Sequence, residues 1–200
     1  YRDFQIISTA PPTGGGTHIV ELLNIMEQYD IKSLGHNSAD YIHIFAEAQK
    51  MVHADKAANM ADPDFYKVPV REITDKKYAE KLRKLINTEK ASFDYKAPEW
   101  LSQESNSTTH LSVVDKQGNI IALTHSINLW FGSGITVPGT GIILNNHLAD
   151  FSSEPGTPNS ISPGKRPVSS IAPSGINKPD CLPKLFATFF FLVKVVPSGL

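Results

Sequence analysis

The 200 residues suit one domain, or a large piece of one, with enough chain to bury a substantial core. Hydrophobic residues make up 40% and charged residues 20%, a globular balance, and a formal charge of −1 argues against a nucleic-acid surface, which needs a basic excess. The single cysteine, Cys181, excludes an intrachain disulfide and a thiolate metal site.

The opening Tyr1-Arg2-Asp3-Phe4-Gln5-Ile6-Ile7 reads as mid-chain sequence entering a strand over 4–8, so any targeting segment is expected upstream of it. Pro11-Pro12-Thr13-Gly14-Gly15-Gly16 follows as a stiff turn and then a permissive one. The triplet lacks the Lys-Ser/Thr ending of a phosphate loop, so a plain turn is expected. Ile19, Leu22, Leu23 and Met26 then recur at helical spacing. A second helix is expected over 38–59, with Ile44, Phe45, Ala48, Met51 and Val52 on one face. His43 and His53 lack metal-site spacing and read as solvated or packed side chains, and no metal or cofactor is expected. Asp62-Pro63-Asp64-Phe65 reads as a turn between helices. A third helix follows Thr74-Asp75, with Ala79, Leu82, Leu85 and Ile86 inward and its cations in solvent. Residues 87–107 turn polar and irregular, a connector accessible enough for self-cleavage.

The second half is β-rich. Residues 109–115 and 120–127 alternate, joined by a Lys116-Gln117-Gly118-Asn119 hairpin turn, and 142–144 reads as a third short strand. The apolar run from Leu185 to Val193 is stopped by Lys194, far short of the roughly 20 residues of a membrane helix. Helices first and paired strands after suit an α+β fold. Ser107-Thr108-Thr109-His110-Leu111 opens the first of these strands. Thr-Thr at a strand start is ordinary β-propensity. It also suits an amide-attacking nucleophile: cleavage at Ser107-Thr108 would leave a free α-amine beside the Thr108 hydroxyl. That amine, with a pKa of about 8, serves as the base.

The run that follows decides between the two. Ser112-Val113-Val114-Asp115, Gly118-Asn119, Ser126-Ile127-Asn128, Phe131-Gly132-Ser133-Gly134, Gly141-Ile142-Ile143-Leu144-Asn145-Asn146 and Lys165-Arg166-Pro167-Val168-Ser169-Ser170 closely resemble, in order and spacing, the start of the small subunit of the γ-glutamyltranspeptidases. The resemblance covers about residues 4 to 176. It implies an N-terminal-nucleophile hydrolase with an αββα sandwich, incomplete in this chain. Residues 1–107 would be the C-terminal, mainly helical part of the large-subunit region, 108–176 the β-rich start of the small-subunit region, and 177–200 a divergent tail.

The same resemblance implies autocatalytic cleavage at Ser107-Thr108, then hydrolysis or transfer of the γ-glutamyl group of glutathione and similar donors through a γ-glutamyl-threonine intermediate. Its partners would be a γ-glutamyl donor, an amino-acid or peptide acceptor or water, and the two subunits of one precursor, in a periplasmic or extracellular location. Thr108 would be the nucleophile and Ser126 its hydrogen-bond partner. Asn128, His147 and Asp150 would hold the substrate α-amino group, and Ser169 and Ser170 the α-carboxylate. Each has an ordinary reading: Asn128 as a turn cap, Asp150 as a residue before a loop, the serines as loop solvation. His147 stands where the family usually has Gln or Glu. Residues 154–165 resemble the short, lidless form of a loop that carries an aromatic in many relatives. The family's Gly-Ser-Pro-Gly-Gly is not found between Gly175 and Leu200. A catalytically inactive, truncated homologue that acts by association is therefore the alternative, and a β-lactam acylase on the same scaffold is a third reading.

Overall fold

The computed structural model describes residues 1–92 and 108–177, together with the backbone of 186–191. Most of the expected connector over 87–107, Ser107 and Cys181 lie outside the described residues.

Three helices build the main core. α1 (Gly14–Met26), α3 (Ala39–Asn59) and α5 (Lys76–Leu85) are accompanied by the single turns α2 (Ile31–Leu34) and α4 (Val70–Ile73). Ile25 and Met26 of α1 meet Ile44, Ala48, Met51 and Val52 of α3, and Ala79, Leu82 and Ile86 close the cluster from α5. Three starts are capped by side chains: Asp30 Oδ1 accepts from Ser33 N at 3.2 Å, Ser38 Oγ accepts from Tyr41 N at 3.1 Å, and Asp75 Oδ1 accepts from Lys77 N at 2.7 Å. Leu85, expected inward, is 62% exposed. At about 100° per residue the stripe Ala79–Leu82–Ile86 leaves position 85 roughly a quarter-turn to one side.

Two small sheets complete the architecture. β1 (Gln5–Ile7) pairs antiparallel with β4 (Gly175–Asn177), Gln5 opposite Asn177, so residues at opposite ends of the described chain share one ladder. β2 (Thr109–Val114) and β3 (Ile120–His125) form the expected hairpin, Thr109 opposite His125 and Val114 opposite Ile120. Asp115 ties its turn, accepting from Gln117 N and Asn119 N. β3 alternates, burying Ile120, Ala122 and Thr124, whereas every residue of β2 is exposed. β5 (Phe186–Phe191) lies parallel to β3 on its other side, so residues from the expected divergent tail supply a strand. The strand expected over 142–144 is reduced to one bridge, Thr136 with Ile143. Gly134, Gly139 and Gly141 hold positive φ around Pro138 and bend this short hairpin out of any extended ladder.

The glycine triplet departs from expectation: it forms the first turn of α1 itself. Close approach explains its composition. A Cβ on Gly15 would stand 2.5 Å from Ser170 O and 2.6 Å from Ile171 O, and one on Gly16 2.2 Å from Thr9 O. Gly14 N donates to Ser169 O at 2.8 Å, and Ser169 N to Pro12 O at 3.3 Å. The glycines thus seat the helix start directly on the segment that carries Ser169 and Ser170. Gly15→Ala gains at most about 1 kcal/mol of helix propensity, against about 1–3 kcal/mol or more of overpacking onto backbone carbonyls that cannot rotate away. The expected outcome is net destabilisation, read as a lowered urea midpoint at unchanged m; an unchanged or raised midpoint contradicts the close packing.

Candidate active site

Thr108 directly precedes β2 and Ser126 directly follows β3. Because Thr109 faces His125 in the ladder, the hairpin register brings these two residues side by side. Thr108 Oγ1 donates to Ser126 Oγ at 3.0 Å, and the same oxygen accepts from Asn128 N at 3.0 Å. Both hydroxyls open onto a cavity of about 410 Å³. Asn128, His147, Asp150, Ser169 and Ser170 line it too, so all seven residues singled out in the sequence as catalytic or substrate-binding meet around one space. Among the described residues none from 154 to 165 lines it.

The cavity lining includes a carboxylate, Asp150. Asp150 closes a 3₁₀ turn, His147–Asp150. Its Oδ1 accepts from Asn128 Nδ2 at 2.9 Å, its Oδ2 lies 2.7 Å from His147 Nδ1, and its backbone oxygen accepts from Asn159 Nδ2 at 2.7 Å. Asn128 reaches this position from a left-handed backbone, φ 75°, a conformation asparagine tolerates better than most residues. His147 is buried, and its Nε2 has no hydrogen-bond partner among the described residues. With Nδ1–H donating to Asp150, the neutral ring keeps its Nε2 lone pair as an acceptor.

The lining also includes the Ser169 and Ser170 hydroxyls and Lys56. Lys56 Nζ donates to Ser170 Oγ at 2.5 Å, and the lysine is 6% exposed. The segment behind the serines is anchored at Arg166, which clasps Asp62: Arg166 N and Nε donate to Oδ2 at 2.8 and 2.9 Å, and Nη2 to Oδ1 at 2.5 Å. The connector Asp62-Pro63-Asp64-Phe65 is therefore more than a turn. Asp64 also accepts from Arg166 Nη2, at 2.7 Å.

Sequence reasoning missed Lys56, Asp62, Asn159 and His110. Lys56 had a signal: it continues the every-fourth-residue register Ile44, Ala48, Val52 of a buried face, where a lysine needs a reason. His110 lines the cavity with Nδ1 2.8 Å from Thr124 Oγ1 and Nε2 3.0 Å from Ser112 Oγ. Asn159 sits in a loop that carries no local mark of its role.

A hydroxyl at the head of a strand, beside a second hydroxyl and a polar cavity, suits the N-terminal-nucleophile class of hydrolase, and comparisons with known proteins give that class. The family described as gamma-glutamyltranspeptidase matches residues 1–186, and the chain belongs to it. It is 44% identical over 190 residues to a glutathione hydrolase proenzyme of Escherichia coli (strain K12), covering 89% of this chain and 33% of that protein. It is 45% identical over 177 residues to the acylase ACY 1 proenzyme of Pseudomonas sp. (strain SE83), covering 86% and 31%. Among solved structures, a cephalosporin acylase from Bacillus halodurans superposes with a TM-score of 0.70 at 28% identity, covering 90% of this chain and 31% of that one. The fold is thus the α+β fold of the N-terminal-nucleophile hydrolases, and the chain spans about a third of the length of the relatives it matches.

The Arg166 hydrogen bonds hold the Asp62 carboxyl well below its ordinary 3.8, at about 2, against the opposing effect of burial. A carboxyl depressed on folding contributes stability that is complete above the unfolded value and is lost as pH falls through the folded one. That contribution should fade between about pH 4 and about pH 2. Asp62→Asn, which removes the charge, should cost about 1.5–3 kcal/mol at neutral pH and flatten the pH dependence of stability across that window. Urea titrations at a series of pH values check both, and parallel curves for the two proteins contradict the assignment.

Proposed function

We propose that the protein bearing this segment cleaves itself at Ser107-Thr108 and then hydrolyses or transfers the γ-glutamyl group of glutathione and related donors. The observation that carries this reading is the Thr108–Ser126 hydroxyl pair at a cavity lined also by the Asp150 carboxylate and the Ser169–Ser170 pair. Relatives named as glutathione hydrolase proenzymes support it.

In the first step Thr108 Oγ attacks the Ser107 carbonyl carbon, and the C–N bond breaks as an ester forms. Water then opens the ester, leaving a Ser107 carboxylate and a Thr108 with free α-amine and hydroxyl. In turnover that amine takes the hydroxyl proton while Oγ attacks the γ-amide carbonyl of the donor. The leaving amine departs with the proton, and a γ-glutamyl ester remains on Thr108. Water resolves it in hydrolysis, and the amine of an amino acid or peptide resolves it in transfer. Ser126, holding both Thr108 Oγ1 and Asn128 N, orients the nucleophile. Asp150 and the His147 Nε2 lone pair would receive the substrate ammonium. An exported location, periplasmic or extracellular, accompanies this proposal by resemblance to the family.

Thr108→Ala should leave one uncut chain and abolish γ-glutamyl release. Cleavage of the 200 residues would give pieces of 107 and 93, so denaturing electrophoresis reads the first outcome directly. Two bands from the variant would sink the nucleophile assignment.

Acylase activity is the second reading, favoured by the acylase names among the similar proteins. The two differ in whether the substrate ammonium matters. On the γ-glutamyl reading, Asp150→Ala should raise KM for a γ-glutamyl anilide by about ten- to a hundredfold, the worth of a charge-assisted hydrogen bond, with no effect on a glutaryl anilide, which lacks the ammonium. Equal use of both anilides by the unaltered enzyme, unaffected by the substitution, would favour the acylase.

A further inference from the structure

The buried stripe of α1 is polar where a core helix is ordinarily apolar: Thr17, Glu21 and Asn24 are all buried. Asn24 directs its amide to Thr74 O at 2.8 Å, whereas neither carboxyl oxygen of Glu21 receives a hydrogen bond among the described residues. Glu21 has no exposed surface, and no cation is among the groups that act on it. An ionised carboxylate so placed would carry the full desolvation cost of a buried charge. What Glu21 does meet is a second carboxyl, that of Asp55 on α3.

Asp55 is surrounded as an acceptor. Tyr78 Oη donates to its Oδ2 at 2.7 Å, and Asn59 Nδ2 to its Oδ1 at 3.2 Å. Two carboxyl groups hydrogen-bond each other only when one of them holds a proton, and the donors already on Asp55 leave Glu21 as the holder. Burial first, then the hydrogen bond with Asp55 and its charge, push the Glu21 carboxyl up to about 9. The other groups around it stay as they are in that range. His18, one turn back on α1, is held neutral, lowered to about 3 by burial and then by Lys56 and His53 of α3. Tyr78, from α5, is pushed upward by burial and then by Asp55 and Glu21, so it remains a donor. α4 reaches α1 through its end at Thr74, and its charged residues, Arg71 and Glu72, are exposed.

We propose that Glu21 and Asp55 share one proton as a lock between α1 and α3, and that its removal in alkaline solution unseats the serine segment from the start of α1. With the proton in place, a hydrogen bond joins the two helices inside the core. With it gone, two like charges face each other and the packing between the helices is driven apart. α1 does not shift alone. Gly14 N, two turns before Glu21, holds Ser169 O at 2.8 Å, and Gly15 packs against Ser170 O and Ile171 O. An opening between α1 and α3 is therefore transmitted to the serine pair in the cavity wall, whatever ligand the cavity takes. A carboxyl raised on folding contributes stability that is complete below its ordinary 4.5 and is lost as pH rises through about 9.

The experiment uses the whole protein bearing this segment, unaltered and as Glu21→Gln and Asp55→Asn. The infrared difference between the unaltered protein and Glu21→Gln should show the C=O stretch of a protonated carboxylic acid at neutral pH, converting to carboxylate at about pH 9. In Asp55→Asn, measured against the double variant, the conversion should fall by about one pH unit or more, because the neighbouring charge is gone while burial remains. Hydrogen exchange reads the seat itself, and comparing proteins at one pH cancels the intrinsic rate. At about pH 10 the amides of 12–26 and 167–173 should exchange about tenfold or more faster in the unaltered protein than in Glu21→Gln, whose amide donates to Asp55 at every pH. At about pH 6 the two should agree within about twofold. Asp55→Asn, which lacks the like charge, should be protected as Glu21→Gln is, so a folding defect in one variant leaves the other to decide. Absence of the carboxylic-acid band at neutral pH would show an ionised Glu21 and overturn the proposal. Equal exchange in all three proteins at about pH 10 would show a proton that locks nothing and overturn it too, as would acceleration spread evenly over the whole protein.

Discussion

Asp62 has no solvent-exposed surface, and burying a carboxylate is tolerable only when its oxygens are met. Three N–H groups of Arg166 and the backbone N–H of Asp64 meet them. That clasp joins residues 104 positions apart and fixes the path of the chain just before the serine pair. The glycine start of α1 then receives this path: Gly14 N holds Ser169 O, and Gly15 admits the carbonyls of Ser170 and Ile171 at a distance that no side chain would permit. The serines are therefore set by the helical half of the chain, although they belong in sequence to the β-rich half. Self-cleavage at Ser107-Thr108 would cut the covalent link between these halves, so the non-covalent clasp is what would keep the cavity assembled afterwards.

The surroundings of Asp150 are built by the opposite strategy, from residues nearer in sequence. Asn128, His147 and Asp150 lie within one irregular stretch, and short side-chain contacts bind them: Asn128 to one carboxylate oxygen, His147 to the other. Asn159 adds the backbone tie, holding Asp150 O through Nδ2 and accepting from Val168 N through Oδ1 at 3.2 Å. A single buried amide thus couples the turn bearing Asp150 to the strand-like run leading to Ser169. Groups held this way are oriented before any substrate arrives, which is the condition for electrostatic recognition without reorganisation.

Local physics made much of the fold legible. The helix starts at Ser38 and after Asp75, the Ile44–Val52 stripe and the Gly118 hairpin turn each depend on residues a few positions apart, so sequence showed them. The seven site residues were legible only through family resemblance, because no spacing rule predicts that Thr108, Asp150 and Ser169 line one cavity. The failures share a cause. Gly15 looked like a turn residue because its purpose, room for Ser170 O, lies 155 positions away. Asp62 looked like half of an Asp-Pro turn because Arg166 lies 104 positions away. Residues 142–144 looked like a strand because apolar β-branched residues suit one; the surrounding positive-φ glycines left them a single bridge.

α1 carries two buried ionisable groups that sequence would not place in a core. His18 is held neutral far below its ordinary range, and burial, reinforced by Asp55, pushes the Glu21 carboxyl up to about 9. Around neutral pH both therefore occupy their uncharged forms, and neither adds a formal charge to the layer supporting the site. This matters because charge in a low-dielectric interior acts over longer distances than in water. An ionised Glu21 or His18 would add a buried charge to α1 and shift the potential around it. By keeping these two neutral, burial leaves the potential of the cavity to the groups that line it, Asp150 and Lys56 among them.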